Sequence, residues 1–421
     1  MNATRLAIIA LLALNAAARA QNPPAGARAG ATRIANDIRY LASDSLGGRL
    51  TGSPGNDSAA AYIERRFQEL HLQPGGDDGG WLQHWTVGST VATREAGVAD
   101  RRTENVVGIL RGRGPLAGQD IVIGAHFDHL GSGPFASTAT GDSAHLIHHG
   151  ADDNASGTAA VMEIARLLAT ARDRPARTIV FVLFSGEEEG DLGSAWYADH
   201  PDIPVDSTLA MINLDMVGRL RDNRLLILGV RSATEWQPLL DSVNTTYHLD
   251  VHASGDGWGN SDQNSFFAKH LPVLFFFTDL HADYHRPADT WDKINASGVA
   301  TVAAFAADVA RRLAAHPGPL TFVDAPPPQM ASGTRAYLGT IPDMTGEPGG
   351  VRLSGVSAGS PADAAGLKAG DILVGIGADT VANLNDMQNA LVKHHPGDTV
   401  ILRVRRGDQT LELTAVLGRR S

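Results

Sequence analysis

Apolar residues recur along this 421-residue chain with two spacings. One is helical: stretches 34–46 and 57–70 repeat apolar side chains every three or four positions, the second through Ala60, Ile63, Phe67 and Leu70. Val161, Ile164, Ala165 and Leu168 repeat the spacing further on. The other is a series of short unbroken apolar runs at 105–110, 121–125, 179–184, 210–214, 225–228 and 273–277. These are rich in Val, Ile and Phe and lack polar alternation, as strands covered on both faces do. Helical stretches separate several of them, so the spacing predicts an α/β fold, a mostly parallel central sheet flanked by helices.

Several of these runs end in polar residues. The 121–125 run leads into His126 and Asp128, 179–184 into Glu187, Glu188 and Glu189, 210–214 into Asp215, and 273–277 into a loop carrying His285 and Asp289. Ligands bind at the carboxyl edge of open α/β sheets, so these residues are expected to converge on one crevice. The segment Gly150-Ala-Asp-Asp-Asn-Ala-Ser-Gly157 opens the helix that carries Val161. Its paired carboxylates suit either a cation site or an Asp-rich N-cap. A glycine-rich stretch at 47–55 is either a connector or a wall of the crevice.

Composition narrows the chemistry. With 43% hydrophobic residues the chain can bury a large core, and its net charge of −11 argues against nucleic acid or anionic lipid as a general partner. There is no Cys, which excludes disulfides, thiolate metal sites and a cysteine nucleophile. Arg5, the apolar run 6–14 and Ala18-Arg19-Ala20 read as a secretory signal peptide, so a periplasmic or secreted mature protein is expected to start near Gln21. The run falls short of the roughly 20 residues that span a bilayer, so no stable membrane anchor is expected.

Any metal must therefore be held by His and carboxylate. His126, Asp153, Glu188, Asp215 and His285 could hold two Zn²⁺ ions if Asp153 bridges them and each ion takes one His and one further carboxylate. Three carboxylates and one hydroxide would balance two divalent ions, whereas without metal the carboxylates would crowd a low-dielectric cleft. Nitrogen and oxygen donors suit zinc and also admit Co²⁺ or Mn²⁺. Glu187 neighbours a ligand yet can stay free to exchange a proton, which makes it the candidate general base. Asp128 is expected to orient His126, and Asp289 to orient His285. His145, His148 and His149 read as loop residues.

The segments Ala125-His-Phe-Asp-His-Leu-Gly131, Gly150–Gly157, Ser185-Gly-Glu-Glu-Glu-Gly190, Ile212-Asn-Leu-Asp-Met-Val-Gly218 and Asp283-Tyr-His-Arg-Pro-Ala-Asp-Thr290 carry a resemblance. In order and spacing they resemble the motif set of the dizinc aminopeptidases related to glutamate carboxypeptidase and the transferrin receptor. The likeness runs from about residue 34 to about residue 315. It implies Asp153 rather than Asp152 as the bridging ligand, Glu188 and His285 on one zinc, His126 and Asp215 on the other, and Glu187 as base. Asn213 and the segment 260–263 also resemble positions near the family's site. The implied reaction is hydrolysis of an N-terminal peptide bond by a metal-held hydroxide, on peptides with a free N-terminus. A carboxypeptidase or a glutaminyl cyclase on the same scaffold is the enzymatic alternative. The former would place a basic residue, Arg219, Arg286 or Lys269, near the crevice. A metal-free peptide-binding protein, built as the receptor relatives are, is the alternative outside enzymes.

Beyond a Pro/Gly-rich linker expected at 321–335, residues 336–421 form a second unit. The stretch Gly355-Val-Ser-Ala-Gly-Ser-Pro-Ala-Asp-Ala-Ala-Gly-Leu-Lys-Ala-Gly-Asp-Ile-Leu373 and a helical stretch at 384–394 resemble a PDZ domain. The resemblance implies that Tyr337-Leu-Gly-Thr340 takes a peptide's C-terminus while the peptide adds a strand. Thr340 stands where that family usually carries an apolar residue. The expected organisation is a signal peptide at 1–20, a dizinc peptidase domain at 21–320, the linker, and the β-rich PDZ domain at 336–421.

Overall fold

In the computed structural model, residues 25–139, 141–327, 336–342, 349–357, 359–382, 384–407 and 409–419 are described. The signal peptide expected at 1–20 lies outside them. Nine strands build the large sheet: β1 (Gln73–Pro74), β2 (Leu82–Thr86), β3 (Arg102–Leu110), β4 (Asp120–His126), β5 (Thr178–Phe184), β6 (Thr208–Leu214), β7 (Arg224–Leu228), β8 (Asp250–Ser254) and β9 (Val273–Phe277). Their order is β1-β3-β5-β4-β6-β9-β7-β8, with β2 also paired to β3. The centre β5-β4-β6-β9 is parallel. Toward the edges β3 joins β5 and β7 joins β9 antiparallel, while the edge pair β7–β8 is again parallel, so the sheet is mixed.

Every residue of β4, β5 and β6 is buried, which is why their sequences do not alternate. Alternate residues nevertheless enter different cores. Ile121, Ile123, Phe181 and Ile212 pack with α1 (Ala25–Leu41), α2 (Pro54–Glu69), α4 (Gly157–Ala169), α6 (Trp236–Tyr247) and α8 (Ala296–Ala314). Val122, Val180, Val182 and Met211 face Tyr197, Phe266 and Phe267 on α5 (Leu192–Asp199) and α7 (Gln263–Phe267). A short α3 (Val91–Glu95) lies between β2 and β3. Helix α2 starts three residues earlier than the spacing suggests, because Ser53 accepts a hydrogen bond from the Asn56 N–H and Pro54 suits a first helical position.

Three strands escape the apolar pattern: β1 is a two-residue exposed edge pairing, and β2 and β8 escape for opposite reasons. In β2 the buried Gln83 holds Asn105 and the His200 carbonyl, so a polar residue occupies an inward position. In β8 all residues are half-buried or exposed at the sheet edge. Among the described residues no helix is long and apolar enough to cross a membrane.

The C-terminal unit is a separate antiparallel sheet around its own core. β11 (Thr340–Pro342), β12 (Val351–Val356), β13 (Ile372–Ile376), β15 (Thr399–Arg406) and β16 (Gln409–Val416) are neighbours in that order, β14 (Asp379–Thr380) pairs with β13, and β10 (Ala336–Tyr337) pairs with β17 (Gly418–Arg419). Helices α9 (Pro361–Ala364) and α10 (Leu384–Val392) complete it. Its core runs from Leu338 to Leu417 and includes Leu353, Leu373, Ile376 and Leu402.

The expected linker begins later than residue 321. Phe322 packs against Phe267 at 5.4 Å, the Val323 N–H bonds the Ser232 carbonyl, and Trp258 Nε1 donates to the Ala325 carbonyl at 2.8 Å. These residues dock on the larger domain because Phe322 has an apolar seat there.

Candidate metal centre

Four strands and one turn deliver the site. β4 ends at His126, β5 and β6 end three residues and one residue before Glu187 and Asp215, and the loop after β9 supplies His285. Asp153 comes from the turn Ala151–Ser156, which opens α4. That turn is pinned to β6 by Asn154, whose Nδ2 donates to the Leu214 carbonyl at 3.0 Å while its Oδ1 accepts from the Gly157 and Met216 N–H groups. Gly157 is required here, since a Cβ would stand 2.2 Å from the Leu214 carbonyl oxygen.

The side chains converge as two sets that share Asp153. Asp153 Oδ1 lies 3.3 Å from His126 Nε2, and its Oδ2 lies 3.1 Å from His285 Nε2. On the first side Asp215 Oδ1 is 3.4 Å and Glu187 Oε2 3.8 Å from His126 Nε2. On the second side Glu188 Oε2 is 3.1 Å from His285 Nε2. Asp152, in contrast, faces away: its carboxylate accepts from the Gly218 N–H and the Ser156 hydroxyl and meets His281 Nε2 at 3.0 Å.

His126 Nε2 and Asp215 Oδ1 are buried without a hydrogen-bond partner although they face each other. Close donor atoms without hydrogen-bond alignment fit ligands gathered about a shared centre, and unpaired buried polar atoms are otherwise costly. Two groups of the described residues have metal-ligating spacing, His126, Glu187 and Asp215 in one and His129, Asp153 and Glu188 in the other. Electrostatics agree with a cation site. Burial opposes the charge of His285, yet Glu188 and Asp153 carry it up to about 10; burial would raise Glu188, but His285 and His129 help hold it down to about 2. Burial, reinforced by Glu188 and opposed by His126, pushes the Glu187 carboxyl well above the ordinary range. The residues present fit divalent metal.

The supporting shell differs from expectation in two places. Asp289 does not reach His285: its Oδ2 accepts the Asp152 and Asp153 N–H groups at 2.8 and 3.1 Å, and its Oδ1 accepts from Arg219 Nη2 at 2.8 Å. His285 Nδ1 instead donates to the Ala136 carbonyl at 2.8 Å, because the loop after β4 folds back over the 281–289 loop. Asp128 stands 3.7 Å from His126 Nδ1, beyond hydrogen-bond reach, and its two oxygens accept the Glu187 and Glu188 N–H groups at 3.3 Å each. The shorter contact of His126 Nδ1 is with the Asp128 backbone carbonyl, at 3.3 Å.

Other residues take roles that the sequence did not assign. Arg49, in the glycine-rich 47–55 stretch, is fully buried and donates to the carbonyls of Leu41, Phe127, His149 and Gly150, so that stretch is a wall of the site. Thr51 donates to Glu189 at 2.8 Å. Ser261 donates to Asp215 Oδ2 at 2.8 Å and accepts from Asn213 Nδ2 at 2.8 Å, which gives the 260–263 segment its place. His129 meets Glu188. An Arg inside a glycine run and a second His after the strand were the available signals. His148 bonds Ser137 and His149 bonds Asp44 and the Pro287 carbonyl, so both serve the loop.

An α/β sheet with buried His and carboxylate gathered at its carboxyl edge has the donor chemistry that a metallopeptidase site requires. Residues 105–310 match the model of peptidase family M28, and residues 336–417 match the PDZ domain model. The larger domain belongs to peptidase family M28, and the chain carries a PDZ domain behind it. The chain is 37% identical over 125 residues to a probable zinc metalloprotease of Pyrenophora teres f. teres, covering 29% of this chain and 25% of that protein. It is 32% identical over 120 residues to the aminopeptidase YwaD of Bacillus subtilis, covering 28% and 23%. The matches thus span about a quarter of the length of these curated relatives. In fold the chain is similar to the LapA aminopeptidase of Legionella pneumophila, with a TM-score of 0.52 at 19% identity over 69% of this chain and 74% of that one.

Proposed function

We propose that this chain is a periplasmic or secreted aminopeptidase that uses two zinc ions to hydrolyse N-terminal peptide bonds. The observation that carries the reading is Asp153, whose two oxygens stand 3.3 and 3.1 Å from His126 and His285. His126 and Asp215 would hold one ion, Glu188 and His285 the other, with Asp153 between them. Bound zinc would polarise the scissile carbonyl and the attacking water. Glu187 takes the proton from that water and passes it to the leaving amine. Its raised proton affinity suits the second half of that exchange.

Two of the basic residues that a carboxypeptidase could use are already paired with carboxylates, and the third is hydrogen-bonded through one nitrogen. Arg219 pairs with Asp289 and Asp283, Arg286 Nε donates to Thr138, and Lys269 pairs with Asp199. Met216 and Tyr284, each next to a ligand candidate, belong to an apolar cluster with Phe275 and Phe277, which favours an apolar first side chain. The PDZ domain takes a peptide C-terminus, with β11 at the edge of its sheet among the described residues, where a strand can be added. Residues 1–20 direct export.

The test is hydrolysis of leucine anilide beside its N-acetylated form, with and without chelator. Only the free-amine substrate should be cleaved, chelation should abolish turnover and zinc restore it. Glu187→Gln should lower kcat by roughly 10²–10⁴-fold. A folded protein that holds two metals and cleaves neither would point to carboxypeptidase or cyclase substrates, and one that holds no metal would point to a binding protein.

A further inference from the structure

His129 shares metal-ligating spacing with Asp153 and Glu188 but stands outside the ligand set proposed above. It lies three residues beyond β4 and is fully buried. Its Nδ1 stands 2.6 Å from Glu188 Oε1, while the other oxygen of Glu188 stands 3.1 Å from His285 Nε2. An ionised carboxylate only accepts, so Nδ1 carries the hydrogen of this bond. His129 Nε2 is buried and has no hydrogen-bond partner, so the Glu188 contact is what the ring offers the site.

The ring is itself fixed. The His129 N–H donates to the Arg49 carbonyl at 3.2 Å, and the His285 ring meets it edge-on at 5.7 Å. Gly150 covers it so closely that a Cβ there would stand 2.5 Å from His129 Cδ2. A rigid donor on one carboxylate oxygen leaves the other with a single direction, as donors behind metal-binding side chains do.

We propose that His129 is a positioning residue whose Nδ1–H holds Glu188 Oε1, so that Oε2 is the oxygen turned toward Asp153 and His285. The proposal rests on the reading of Glu188 as a metal ligand. It predicts that His129 acts on metal retention at the Glu188–His285 side alone, through its hydrogen rather than through its bulk.

The test uses the full-length protein as wild type, His129→Asn and His129→Leu. Each is loaded with zinc and dialysed against a graded chelator, with zinc content read by atomic absorption and fold by circular dichroism. Asn keeps an N–H near the Nδ1 position, and Leu fills the space without one. His129→Leu should lose one of two zinc equivalents at a roughly 10–100-fold lower chelator concentration, while His129→Asn stays within about threefold of wild type and the other equivalent does not move. A folded His129→Leu protein that keeps both equivalents as wild type does overturns the proposal. So does an Asn variant weakened as much as the Leu variant. Wild type that holds no zinc overturns the metal reading together with this one, and that failure is distinct because it precedes any variant. Should His129→Leu not fold, nitrogen-15 NMR of histidine-labelled, zinc-loaded wild type, assigned with His129→Asn, decides. Hydrogen on Nδ1 supports the positioning role; a metal-bound Nδ1 makes His129 a ligand and overturns it.

Discussion

Asp289 is fully buried, and its charge is divided between two backbone N–H groups of the Asp153 turn and the Arg219 guanidinium. Arg219→Met would leave that carboxylate without its counter-charge, which costs roughly 3–5 kcal/mol when a buried pair is broken from one side. Adding Asp289→Asn should recover much of the loss, because a carboxamide oxygen can still accept from the turn. Urea unfolding of the two variants measures this, and an Arg219→Met protein as stable as wild type would refute it. Asp120, at the start of β4, is a second buried carboxylate, away from the site. Burial, opposed by the Thr208 hydroxyl bonds, pushes it up to about 7. The folded state therefore keeps the proton while the unfolded chain ionises, and stability contributed here falls as pH rises from about 4 to about 7. Asp120→Asn should leave stability at pH 4 nearly unchanged and raise it by pH 8, with an upper bound of about 4 kcal/mol at 1.36 kcal/mol per pKa unit. Equal effects at both pH values would exclude the mechanism. At this scale the sequence points to five candidate donors, because four lie within four residues of an apolar strand or helix and His285 sits in the loop that follows β9. The roles of Arg49, Arg219 and His129 stay hidden because these side chains bond to backbone or carboxylates supplied by remote segments.

The elements around the site are joined by Arg49, which reaches the end of α1, the residue after β4, and both residues before the Asp153 turn. Burial lowers its pKa to about 10, so it remains charged at neutral pH. A lysine has one ammonium and cannot reach four carbonyls in different directions. Each carbonyl left unpaired in the interior costs about 1–3 kcal/mol. Arg49→Lys should therefore destabilise the fold by roughly 3 kcal/mol and make zinc easier to strip, which a thermal melt with and without chelator would reveal; an unchanged melt would show that the clamp is dispensable. The element pattern was legible wherever strands are covered on both faces. It failed at the two-residue exposed β1, at β2, where Gln83 is buried by partners on β3 and after α5, and at the half-exposed β8. The glycine-rich 47–55 stretch could not be assigned from spacing because its role depends on what Arg49 meets in three dimensions.

The molecule has at least two independent hydrophobic cores. The C-terminal one draws only on residues from Leu338 to Leu417, while the sheet and helices of the M28 domain supply their own. Independent cores predict independent folding, so removing 336–421 should leave leucine anilide turnover within about twofold of the full chain. Turnover of longer peptides should change if the PDZ domain binds them as proposed, because a peptide so bound would be held near the peptidase at a raised effective concentration. The site of the cut decides whether this experiment is readable. The Pro/Gly composition after residue 316 marked a linker, but composition does not reveal that Phe322 seats on Phe267 or that Ala325 accepts from Trp258. A chain ending at 320 loses those contacts and uncovers the seat of the half-buried Phe322, so it should be less stable than one ending at 335. The two truncations therefore separate domain function from domain stability. If the chain ending at 335 folds but loses small-substrate activity, the PDZ domain contributes to the peptidase site itself; if only the chain ending at 320 fails, the module acts on long substrates alone.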